Sequence, residues 1–336
     1  MINPQDSDRF SRQGYLQPAP EGIDAVYAWG IPGGNGASIG FVDIERGWTL
    51  NHKDLAAASI GIISGINQDH FGHGTSVLGM LVAGGDDSGC VGMVPRATAR
   101  VVSQFQPGGL NIAKAILSAI GVMQAGDILL LEIQTQMDGV ERLPIEVEPA
   151  CFEAIRLGVS LGIVIIEAAG NGALNLDIYR DNSRGYILNR SSPDFQDSGA
   201  IMVGAANSAF PHARHNDTNY GSRIDCYGWG ENITTTGDGK NGNLTDSYTD
   251  NFGGTSGASS MIAGAAIAIQ GIFSVKNGLR LGPQRIRGIL SDPALGTRSA
   301  DPRTDQIGVM PDLRRIIDNV LKDTSLANPK PSEGLA

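Results

Sequence analysis

Cysteine is scarce: three residues in 336, at Cys90, Cys151 and Cys226. An odd set without CxxC spacing excludes a disulfide framework, and at most one bridge could form. Charged residues are few as well, 18% of the chain, and they lean acidic, with a net charge of −10 and a pI near 4.9. That balance argues against nucleic acid and anionic membranes, so neither is expected as a partner. No apolar run reaches the roughly 18 residues of a membrane span. Residues 1–30 lack the basic start and apolar stretch of a signal peptide. Two expectations follow for location: an intracellular protein, or a secreted one whose signal and pro-region have been removed, the second slightly favoured.

What the chain does have is apolar residues, 41%, and 46 glycines without a fixed period, which excludes collagen-like order. Apolar runs at 38–43, 97–103, 127–133, 163–168 and 200–205 read as buried strands. Between and after them, 73–84, 111–124, 148–161, 256–273, 283–291 and 311–321 read as helices. Such alternation predicts right-handed βαβ units, and hence a three-layer α/β/α fold with a mostly parallel central sheet. One domain is expected over 1–321, with an irregular lead-in at 1–36. The tail 322–336 has no apolar periodicity and is expected to be disordered.

In an open parallel sheet, ligands bind beyond the carboxyl ends of the strands. Asp43 ends the first predicted strand, Asn171 follows the strand 163–168, and Ser256 and His73 open helices. Together these supply an acid, an amide, a nucleophile and a base at one rim. A serine hydroxyl needs an imidazole to take its proton, and a carboxylate fixes the imidazole tautomer. The Ser256 N–H and the Asn171 side chain are suited to receive the resulting oxyanion. As a small helix-start residue, Ser256 is also a candidate N-cap.

The motifs here resemble those of the subtilisin-like serine proteases, the subtilases. Phe41-Val42-Asp43 followed by His52-Lys53-Asp54-Leu55 is similar to the acid motif, and His73-Gly74-Thr75 with Gly92-Met93-Val94-Pro95 to the histidine motif. Ala168-Ala169-Gly170-Asn171 resembles the oxyanion motif, and Gly254-Thr255-Ser256-Gly257-Ala258-Ser259 the nucleophile motif. The resemblance covers roughly residues 25–290. It implies a serine endopeptidase working through an acyl-enzyme, with Asp43, His73 and Ser256 as triad and Asn171 in the oxyanion hole. It also implies substrate contacts at Glu132, Ile133, Gln134, Ala168, Ala169 and Gly170.

Three departures stand out. The Asp-Ser/Thr-Gly usual at the acid is Asp43-Ile44-Glu45 here, and Ser260 stands where a proline commonly follows the nucleophile. The substrate-binding Ser-Leu-Gly aligns with Glu132-Ile133-Gln134; a Glu132 facing the cleft would favour basic or polar side chains.

The pairs His70/His73 and His212/His215 suggest a metal, but no HExxH is present and no cysteine lies at ligand spacing. Calcium is the metal the resemblance implies, at Asp54 and Asp86, as a structural ion with no cofactor required for the chemistry. The expected partners are a protein or peptide substrate and a pro-region or inhibitor in the cleft, on a monomer. Two alternatives are a transpeptidase or macrocyclase, and an inactive peptide-binding module. No large insertion caps the cleft for the former, and no triad member is missing for the latter.

Overall fold

The computed structural model describes residues 7–84, 89–239 and 244–321. Nine strands form the central sheet: β1 (Gly40–Glu45), β2 (Gly61–Ser64), β3 (Thr98–Ser103), β4 (Ile128–Leu131), β5 (Val164–Ala168), β6 (Ile201–Ala206), β7 (Cys226–Trp229), β8 (Gly296–Arg298) and β9 (Val309–Pro311). Their order is β8-β9-β7-β6-β5-β4-β1-β3-β2, parallel except for β8 against β9. Strands β4, β5 and β6 are buried along their whole length, as near-continuous apolar runs in a sheet covered on both faces must be.

Helices α1 (Phe71–Val82) and α4 (Gly254–Asn277) pack on one face, and α2 (Ile112–Ile120) and α3 (Pro149–Ser160) on the other. Helix α5 (Pro283–Leu290) adds to the first layer. Local chemistry starts these helices. Asn111 caps α2 by accepting the Lys114 N–H at 2.9 Å, and Pro149 and Pro283 stand in the first turns of α3 and α5. Helix α4 is long and apolar enough to cross a bilayer, unlike any run expected from sequence, but 89% of its most apolar stretch is buried inside the protein. It is the central core helix.

Three elements differ from expectation. The lead-in is packed, not loose: Tyr15, Leu16 and Ile23 are fully buried, and Gln13 pairs with both the N–H and the carbonyl of Val91. The loop-rich region after 206 contains β7 and an antiparallel hairpin, Ile233–Thr236 with Tyr248–Phe252. The helix expected at 311–321 is a short α-turn, Leu313–Ile316, continued by a π-turn to Leu321. The expected tail, 322–336, lies outside the described residues.

The strand order reverses between β1 and β4, which are neighbours although β2 and β3 lie on the other side of β1. Their carboxyl ends therefore open the crevice of the sheet. Alternation decides which side chains enter it. Phe41 faces the α1/α4 layer whereas Val42 and Ile44 face α2/α3, so Asp43 and Glu45 share the α1/α4 side. On β4, Leu130 faces α1/α4 and Leu131 faces away, so Glu132 joins them.

Candidate active site

Strand β1 runs two residues further than expected and ends at Glu45, not Asp43. The Asp43 carboxylate is fully buried and accepts a 2.7 Å hydrogen bond from the Trp48 indole N–H. Glu45 Oε1 instead contacts His73 Nδ1. The expectation that Asp43 orients the histidine is therefore corrected: one full pleat separates Asp43 from the strand end, and Glu45 is the carboxylate that reaches the ring. Glu45-Arg46-Gly47 also restores a glycine two residues after the acid, a signal available in the sequence. That glycine matters sterically. A Cβ on Gly47 would lie 2.5 Å from the Asp69 carbonyl oxygen and 3.0 Å from the Phe71 ring at the start of α1.

His73 sits in the first turn of α1, with its Nε2 3.0 Å from Ser256 Oγ. With the Nδ1 proton donated to Glu45, Nε2 is left as an acceptor for the serine hydroxyl. The Phe252 ring packs edge-on against the imidazole at 5.4 Å, a contact that sequence reasoning missed because it comes from the unforeseen hairpin. Burial, the largest influence on His73, pulls its pKa down. The Glu45 carboxylate outweighs it, with Glu132 and Asp43 adding, and His73 is pushed up to about 9.

Ser256 occupies the first turn of α4, where backbone N–H groups have no partner four residues back in the helix. Asn171, from the loop after β5, spends its side-chain oxygen on the Thr255 N–H at 2.8 Å and the Thr255 hydroxyl at 3.2 Å. Pinning the oxygen there turns its NH₂ into the available donor. A glycine is needed beside it: Gly254 has φ +68°, and a Cβ there would lie 2.9 Å from Asn171 Oδ1. One cleft is lined by His73, Glu132, Ile133, Gln134, Ala168, Gly170, Asn171 and Ser256, among others. The arrangement brings the Ser256 hydroxyl, the His73 imidazole and the Asn171 amide together at one edge.

Two proposed substrate contacts need correction. Ala169 is fully buried, its N–H bonded to Val203 and its carbonyl to the Asn219 amide, so neither group is left for a peptide. Glu132 lines the cleft, but its Oε1 accepts hydrogen bonds from Ser259 (3.1 Å) and Ser260 (2.6 Å) of α4. That oxygen is thus engaged by the helix that carries Ser256. Ile133 is buried, and Gln134 starts a hairpin (Gln134–Met137 with Val140–Pro144) while accepting the Asn171 N–H.

Each Asp54 oxygen already accepts a hydrogen bond, from Cys90 N–H and from the Tyr248 hydroxyl, and burial raises its pKa. Asp86 lies outside the described residues. Calcium prefers a cage of oxygen ligands, which the described surroundings of Asp54 do not fit. His212 is fully buried with each ring nitrogen on a backbone carbonyl, Asn207 and Pro20, while His70 is exposed beside Asp69.

The profile of the Subtilase family matches residues 64–308. An intracellular serine protease of Paenibacillus polymyxa is 28% identical over 265 residues, covering 75% of this chain and 72% of that protein. Subtilisin DY of Bacillus licheniformis is 29% identical over 261 residues, covering 75% and 85% respectively. Among solved structures, a protease of Pseudoalteromonas arctica superposes with a TM-score of 0.66 at 18% identity, covering 93% of this chain and 98% of that one. That last likeness concerns the fold alone. With the family profile spanning most of the chain, this protein belongs to the subtilase family and is a serine endopeptidase.

Proposed function

We propose that the chain cleaves peptide bonds through an acyl-enzyme on Ser256, with His73 as general base, Glu45 as its orienting acid and Asn171 in the oxyanion hole. The observation that carries this reading is one continuous relay: Ser256 Oγ 3.0 Å from His73 Nε2, with Nδ1 on Glu45. Ser256 Oγ attacks the substrate carbonyl carbon as its proton passes to Nε2. The carbonyl π electrons move onto oxygen, where the Asn171 NH₂ and the Ser256 N–H receive the charge. Collapse of the intermediate breaks the C–N bond, and the His73 proton goes to the leaving amine. Water then repeats the attack on the ester and frees Ser256.

An extended substrate suits the surface around the relay. His73 stands between two grooves, one lined by Leu110, Ile112 and Ile133, the other by Gly237, Tyr248 and Phe252. Chain can therefore run past Ser256 in both directions, as endoproteolysis within a protein requires. A pro-region or inhibitor would use the same path.

A fluorophosphonate probe tests the reading. Labelling of the wild type at Ser256, and none in Ser256→Ala, is expected; a folded wild type that stays unlabelled contradicts it. The oxyanion assignment has its own test. Asn171→Ala should lower kcat by about 10²–10³ with little change in KM, because the donor acts on charge that develops only in the transition state. A change confined to KM would place Asn171 in substrate binding instead.

A further inference from the structure

Glu132 is an acid the relay does not use. It is 8% exposed, and its Oε2 is buried without a hydrogen-bond partner, while Oε1 holds the hydroxyls of Ser259 and Ser260. One ligating atom each of Glu45, His73 and Glu132 lies within 4.8 Å of the others. A carboxylate in that position is costly to bury unless it does something for a neighbouring charge.

We propose that Glu132 is a positioning residue, a second carboxylate that acts with Glu45 to hold the imidazolium formed when Ser256 gives up its proton. The inference rests on His73 being the base. The geometry places the two carboxylates at the carboxyl ends of adjacent strands, since Ile44 pairs with Leu131 and the next residues are Glu45 and Glu132. Glu45 takes the Nδ1 proton, while Glu132 acts on the ring through space. The serines that keep Glu132 in place belong to the same helix as Ser256, three and four residues on, so base, nucleophile and second carboxylate are tied together. Ser260 standing where a proline is usual then has a purpose: its hydroxyl makes the shorter of the two bonds to Glu132.

The charged and titratable surroundings of His73 are Asp43 and Glu45 from β1, Glu132 from the end of β4, Arg46, His70 and Glu148 around one groove, and Asp238 and Tyr248 in the other. Burial raises Glu132 well above the ordinary carboxylate range and Glu45 and Asp43 push the same way, whereas His73 opposes them. Imidazole and carboxylate therefore titrate together: protonation of the ring favours the Glu132 anion.

The sign of the effect is fixed. Catalysis needs neutral His73, and a nearby negative charge favours its protonated form, so Glu132 raises the pH at which activity switches on. Glu132→Gln keeps an oxygen acceptor for both serines but removes the charge. The acid limb of kcat/KM should then move to lower pH by about one unit. Glu132→Asp, which restores a charge, should return the limb toward wild type. Ser260→Ala leaves every ionisable group in place but weakens the Glu132 anion, and should shift the limb the same way by less. These profiles are taken on fluorophosphonate-reactive enzyme, so that failure of the Ser256–His73 relay would show as lost labelling and not as an unmoved limb. Lower activity or stability in both Glu132→Gln and Ser260→Ala with the limb unmoved would assign Glu132 a packing role only and overturn the proposal.

Discussion

Ser256→Ala and His73→Ala, each assayed alone on a peptide substrate, are expected to lower kcat by about 10⁶. The size is carried over from serine proteases built on the same unit, and its cause is visible here. Without Nε2 at 3.0 Å, the hydroxyl keeps its proton and is a poor nucleophile. Without the hydroxyl, the imidazole has nothing to activate except water it was not shaped to hold. Because the two act as one unit, the double variant should be no slower than either single one. KM should change little, since neither group is needed to hold the chain in the grooves. A loss of only about tenfold in a well-folded Ser256→Ala protein would mean that another nucleophile carries the reaction.

Glu45→Gln should lower kcat by about 10⁴, whereas Asp43→Asn should leave it within about tenfold of wild type. A glutamine amide facing Nδ1 donates a proton where the carboxylate accepted one. The ring then carries its proton on Nε2, and it can no longer accept from Ser256. The same substitution also removes the negative charge that stabilises the imidazolium. Asp43 is different. Burial, the largest influence, and the nearby Glu45 charge raise its pKa well above the ordinary value, against a smaller pull from the Trp48 bond. A neutral asparagine in its place still offers an oxygen to the indole N–H. Rate assays at a pH above the acid limb decide between the two: a reversed pattern, with Asp43→Asn severely impaired and Glu45→Gln active, would return the role to Asp43.

Much of this molecule was legible from its residues, for reasons that differ by region. Long apolar runs such as Ile128–Leu131 and Val164–Ala168 announce buried parallel strands, because a sheet covered on both faces leaves no polar alternation to read. His73, Ser256 and Asn171 were findable because their motifs open helices or follow strands at one rim. The carboxylate that contacts the imidazole differs from the expected one by one pleat. Asp43 has the expected residue type and sits among apolar residues, yet β1 continues to Glu45, and strand ends are poorly marked in sequence. Reading the glycine at position 47 as part of the acid motif would have found it. Glu132 is legible as a cleft residue, but the hold that Ser259 and Ser260 have on its Oε1 is not. Its direction follows from alternation along Ile128, Leu130 and Glu132, which becomes decisive only once the face covered by α4 is known. Contacts between distant segments, such as Phe252 on His73 or the Cys90 N–H and Tyr248 hydroxyl on Asp54, leave no local pattern at all.

The partner of the imidazole can be observed without any substrate. In ¹⁵N-edited proton spectra, the His73 Nδ1 proton, held by a buried carboxylate, should resonate far downfield in the wild type. That signal should persist in Asp43→Asn and be lost or moved strongly upfield in Glu45→Gln. Persistence in Glu45→Gln together with loss in Asp43→Asn would contradict the account.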